Sequence, residues 1–149
     1  MDLMSIKNAV CGIIGVVFGT VVGLMGGWDK ALEALVVCMI VDFFSGFVVA
    51  SVFHKSPKTL TGGTASEVSR EGLSRKCMML LFVMIGYELE RMTGSNFIRE
   101  SIIYGFIANE ILSIVENAGL MGLPMPAAII NAVDVLKQKA DKKDDAKCK

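Results

Sequence analysis

Residues 11–28 read CGIIGVVFGTVVGLMGGW, a stretch without charge or proline but with glycine at 15, 19, 23 and 27. Its length and apolarity ask for a helix, yet glycine costs a helix in water about 1 kcal/mol relative to alanine. The conflict dissolves in lipid. No hydrophobic force draws helices together there, so association depends on close packing, and small residues four apart let two backbones approach. Gly15, Gly19, Gly23 and Gly27 define such a face, with Gly12 nearby and stiff ridges of Ile13, Ile14, Val16, Val17, Val21 and Val22 beside it. Glycine is commoner in membrane helices generally. Four at one spacing nevertheless favour a packing and oligomerisation face, whose partner is either another copy or the next segment.

Outward from this stretch, Asn8 to Trp28 is a run of 21 uncharged residues, which as a helix spans about 30 Å, the thickness of a bilayer core. The whole chain of 149 residues is 53% hydrophobic and 20% charged, with a mean hydropathy of +0.57. That is more apolar than an ordinary soluble domain. A cleaved signal peptide is the weaker reading: Lys7 is a thin basic region, the apolar run is long, and no A-x-A site follows.

The second apolar segment, Ala31 to about Phe53, carries Glu33 near its start and Asp42 at its centre. A polar stretch over 54–76 follows, its first half a loop and its second half suited to a short surface helix. The third segment, Cys77 to about Met92, has an uncharged core of only 11 residues, CMMLLFVMIGY, flanked by Arg75, Lys76 and Arg91. Those long cations can snorkel and extend its reach. The fourth, about Phe97 to Ala118, precedes GLMGLPMP, an amphipathic piece and the solvated tail ADKKDDAKCK.

Positive charge arbitrates the topology. The 54–76 stretch holds five basic residues, among them Arg70, Arg75 and Lys76, and the tail from Lys137 holds six lysines. Lys30, Arg91 and Arg99 are the poorer opposite side. The expectation is an all-α integral membrane protein with four spans (8–26, 31–53, 77–92 and 97–118) and both termini cytoplasmic. Three spans is the alternative. Residues 1–126 form the membrane domain, and 127–149 an amphipathic helix and lysine-rich tail.

Two features place polar groups at membrane depth. Asp42 sits in VVCMIVDFFSGFVVA, where a carboxylate costs about 2.5–3.5 kcal/mol, so it must face protein or water. In the fourth segment, a period of 100° per residue groups Asn109, Glu110, Ser113, Glu116 and Asn117 within one arc. It sets Ile107, Ile111, Ile114 and Ala118 on the other side. Such a stripe can line water, line a subunit contact or lie flat on a membrane; the first two are favoured.

Other chemistry finds little support. The formal net charge is zero, which leaves no nucleic-acid footprint. No C-x-x-C pair exists and His54 is the lone histidine, so neither a metal site nor a cofactor is expected. Carboxylate pairs such as Glu88/Glu90 lack a histidine nearby or a soluble cleft around them, so no catalytic residues are assigned.

At the fourth segment the residues carry a likeness. IANEILSIVENAGLMGLPMP, Ile107 to Pro126, resembles the end-of-membrane signature of the phage holin family that includes the clostridial toxin-secretion holins. DFFSG at 42–46 and SREGLSRK at 69–76 resemble that family's second span and its entry to the third. The likeness covers residues 28–137; the first segment and the tail match in character only. It implies a protein that gathers as a homo-oligomer in the host cytoplasmic membrane and opens lesions for an endolysin or a large toxin. MDLM at residues 1–4 would permit two starts, although the added Asp2 is opposite in charge to the family's usual extra cation. A small ion or solute channel, or a transporter subunit, is the alternative function.

Overall fold

The computed structural model describes residues 3–53, 66–124, 126–129, 131–132 and 135. Residues 54–65 of the predicted polar stretch, Met1 and Asp2 of MDLM, and the tail from residue 136 lie outside them. The regular structure described is helical: α1 (Leu3–Leu24), α2 (Lys30–Ser51), α3 (Ser66–Thr93) and α4 (Ile98–Leu120). Within the expected amphipathic piece, residues 127–129, 131–132 and 135 are helical.

Helix ends follow local chemistry. α1 closes where Gly26 and Gly27 take positive φ of 89° and 93°, and the Gly27 N–H returns to the Val22 carbonyl at 2.9 Å. Gly27 therefore lies beyond the helix, and the sequence-derived packing face ends at Gly23. Asp29 caps α2, its Oδ1 accepting from the Leu32 N–H at 2.8 Å, and Glu33 adds negative charge to the first turn. α4 ends in the same manner as α1, with Gly122 at φ 82° and the Leu123 N–H on the Ala118 carbonyl at 3.0 Å. Pro124 comes next and prevents continuation.

α3 is longer than its apolar core suggests. The expected surface helix joins the third segment without a break, giving 28 residues or about 42 Å, near the full thickness of a bilayer with its headgroups. Among the described residues, only Met4–Leu24 and Lys30–Ser51 are long and apolar enough to cross a membrane on composition alone. α3 and α4 fall short because their charged residues dilute the apolar runs.

α4 is the centre of the packing, in contact with both α2 and α3. Leu32, Leu35 and Met39 of α2 meet Val83 of α3 and Ile103 and Ile107 of α4 in a single core, closed at one end by Met25. α3 runs antiparallel to α4: Gly86 faces Arg99 and Ile102, whereas Lys76, ten residues earlier, reaches Glu110. α2 runs parallel to α4, since Asp29 pairs with Arg99 and Asp42 with Asn117. α1 takes no part. None of its described residues is buried, and its described contact beyond the turn is Phe18 against Trp28, ring centroids 6.2 Å apart.

Candidate functional site: a buried carboxylate–lysine cluster

On α2, Leu32, Leu35, Met39, Asp42, Gly46 and Val49 follow alternating steps of three and four, the spacing of an inward stripe. On α4, Arg99, Ile103, Ile107, Glu110 and Asn117, at steps of four, four, three and seven, keep to one inward face. Polar residues thus occupy core positions, and they meet. The Lys76 ammonium from α3 lies 2.8 Å from Asp42 Oδ2 and also contacts Glu110 Oε2. Asn117 Nδ2 donates to Asp42 Oδ1 at 3.3 Å and to Ser45 Oγ at 2.8 Å, while Ser45 Oγ donates to the Asp42 carbonyl at 3.0 Å. The three charged side chains retain 17% (Asp42), 12% (Lys76) and 4% (Glu110) of their exposure. A carboxylate removed from water needs such partners, because an isolated buried charge is far costlier than a paired one.

Three helices converge there because each contributes one stripe position. Gly46 allows Asn117 in: a Cβ at that residue would stand 3.6 Å from Asn117 Nδ2, in ordinary contact, so larger side chains would displace the amide.

The predicted polar stripe of α4 divides. Glu110 and Asn117 turn inward, Ser113 is half-buried, and Asn109 and Glu116 are exposed. Ile107 shares the buried face with Glu110 rather than standing opposite, because a step of three residues turns a helix by only about 60° from full circle. Asp42 is paired. Arg70 and Arg75 are exposed at the start of α3, but Lys76, grouped with them as a topology signal, is spent inside the cluster. Its position beside the uncharged Cys77–Tyr87 run was the available clue. Gly15, Gly19 and Gly23 have nothing within 4 Å of where a Cβ would stand.

A second buried cation was missed altogether. Arg99, read as a connection charge, is 6% exposed. Its Nε donates to the Met25 carbonyl, Nη2 to the Gly27 carbonyl at 3.2 Å, and Nη1 to the Asp29 carboxylate. Its own N–H is satisfied by Glu90 Oε1 at 2.9 Å. One side chain thereby clamps the α1–α2 turn onto the α3–α4 end. Gly26 is required in that clamp: besides its positive φ, a Cβ there would come within 2.7 Å of the Tyr87 ring.

The outer surface is the inverse of the interior. Ile13, Val16 and Phe18 on α1, and Ile40, Phe44 and Phe47 on α2, are large apolar side chains turned outward. Monomeric soluble proteins do not expose apolar surface on this scale. The fold defines a helical membrane protein. The chain belongs to the bacteriophage holin family, whose model matches residues 19–138. It is 28% identical over 125 residues to a "Probable holin" of Bacillus phage phi105, covering 80% of this chain and 87% of that one. An uncharacterised Listeria innocua protein, Lin0175, is 29% identical over 136 residues, 90% of each chain. An uncharacterised Clostridium perfringens protein, CPE0383, is 29% identical over 134 residues, 87% of this chain and 93% of its own. No solved structure matches the chain.

Proposed function

We propose that this protein accumulates in the bacterial cytoplasmic membrane as a multi-pass holin. Its copies then assemble through α1 into lesions that release an endolysin, or in a secretion setting a large toxin. One observation carries the reading: among the described residues, an apolar helix of membrane length with none of its residues buried stands beside a three-helix unit that neutralises Asp42, Lys76 and Glu110 internally. In a lone copy the Asp42–Lys76–Glu110 cluster stays closed, since each charge turned toward lipid would cost about 2.5–3.5 kcal/mol. In a crowd docked along the Gly15–Gly19–Gly23 groove, the same groups can turn to a shared water-filled opening at little cost. Asn109 and Glu116, already outward on α4, supply the rest of the wet face. Arg70, Arg75 and the tail lysines keep both termini cytoplasmic across four spans.

The cluster itself favours a second reading, a small ion or solute channel or transporter subunit that uses Asp42 and Glu110 as coupling carboxylates. Induced expression in a bacterium beside a cytosolic endolysin separates the two. Abrupt lysis after a delay is the expected result. A selective current without escape of protein-sized cargo would establish the second reading, and an intact membrane would overturn both.

A further inference from the structure

The flank of α3 beside the cluster carries a groove whose mouth, at Arg70 and Arg75, makes no contact with the core. Arg70 and Arg75 stand at the mouth of a groove of about 630 Å³, with Ser74 between them. Below the mouth its wall is apolar: Met78, Met79 and Phe82 from α3, with Phe106 from α4. A second groove of about 520 Å³ shares Met79, Phe82 and Phe106 and continues to Ile102 and the open surface of Gly105, with Asn109 as its one polar side chain. Together they form one channel with a cationic head and a mainly apolar body edged by Asn109. From Arg70 to Phe82 it runs about 18 Å along the helix rise.

Depth makes the cations demand a partner. Arg75 adjoins Lys76, which reaches Asp42, and Asp42 lies nine residues before the Ser51 end of α2, about 13 Å along the helix. An outward guanidinium at that level meets acyl chains and must snorkel or draw an anion to itself. Among the described residues neither Arg70 nor Arg75 has a side-chain ion pair or hydrogen bond. Glu71 shares the mouth, so its formal charge is two cations against one carboxylate.

We propose that this channel binds one anionic glycerophospholipid of the cytoplasmic leaflet, its phosphate held by Arg70 and Arg75 and an acyl chain laid over Met79, Phe82 and Phe106. Lipid on that flank ties α3 to α4 from outside, as Lys76 ties them from inside. The inference rests on α3 and α4 lying in the membrane and does not depend on lesion formation.

The test places the full chain in nanodiscs of phosphatidylcholine with a trace of photoactivatable lipid, either phosphatidylglycerol or phosphatidylcholine bearing a diazirine on an acyl chain. Peptide mapping should find phosphatidylglycerol on the Met78–Phe82 and Phe106 segments in clear excess over phosphatidylcholine. Two cations near a membrane surface are together worth about thirtyfold in affinity, so R70Q/R75Q should require about thirtyfold more unlabelled phosphatidylglycerol for the same occupancy. Arg91→Gln, at the other end of α3, should match the unmodified chain. Gly105→Leu fills the apolar part and should cut labelling with both arginines intact. Equal labelling by the two lipids on the unmodified chain overturns the proposal, and so does displacement by millimolar inorganic phosphate, which would reveal a plain anion site. Should R70Q/R75Q fail to fold, the two-lipid comparison and Gly105→Leu decide.

Discussion

Lys76 places one ammonium between two carboxylates, so the three members of the cluster are not equivalent. Glu110→Gln leaves a balanced Lys76–Asp42 pair, whereas Lys76→Met leaves two carboxylates facing each other in a nearly dry site. Removing one partner from a buried pair costs roughly 3–5 kcal/mol. Lys76→Met should therefore lower thermal stability in detergent by that order, Glu110→Gln by much less, and the triple variant D42N/K76M/E110Q should recover most of the loss. Equal destabilisation by the two single variants would refute the inequivalence. Asp29 makes a separate prediction at the clamp. Burial pushes its carboxyl up, but the hydrogen bond and charge of Arg99, with backbone N–H donors, outweigh this and hold it below its ordinary 3.8. A carboxyl depressed by folding contributes stability that is complete above the ordinary value and is lost as pH falls through the folded one. Between about pH 5 and about pH 3 the melting temperature should drop further in the unmodified chain than in Asp29→Asn. Sequence alone exposed Asp42 and Glu110 because a carboxylate in an apolar run is conspicuous. It hid Lys76 and Arg99, because a cation at the edge of an apolar run looks like an ordinary flanking charge.

Two glycines separate packing inside a copy from packing between copies. A Cβ on Gly86 would fall 2.7 Å from Ile102 Cδ1 and 3.3 Å from the Arg99 Cα, so α3 and α4 touch there nearly backbone to backbone. Gly86→Leu should force them apart and cost about 1–3 kcal/mol, measured as a lower unfolding midpoint. Gly19 meets nothing, and Gly19→Leu should leave that midpoint unchanged while reducing cross-linking between copies in membranes. Undiminished cross-linking would remove the α1 groove from the assembly. The contrast also marks what a sequence can show at this level. Four helices and most of their ends were legible from the apolar runs and the breaks between them. The unbroken α3 was not, because Ser66 to Lys76 has surface composition and is held in the helix by the packed Cys77–Tyr87 run on its C-terminal side.

The molecule as a whole is two parts joined by one clamp. α2, α3 and α4 pack on one another, and among the described residues α1 is fastened to them chiefly through the Met25–Asp29 turn. At mid-helix Asp42, Lys76 and Glu110 are tucked inward while Phe44, Phe47 and Phe82 point outward, an arrangement that suits lipid and would aggregate in water. This inversion was legible in the segregated charges, whereas the independence of α1 required the structure, since nothing in an apolar helix says whether a neighbour from its own chain covers it. An unattached arm beside a self-sufficient body has a consequence for mixtures. A shortened variant that lacks α1 would keep the body a neighbour can grip but offer no arm to the next, so it would act as a chain terminator. Co-expressed as a small minority, it should postpone lysis far beyond its share of the total; a delay merely proportional to dilution would mean that growth does not proceed arm to body.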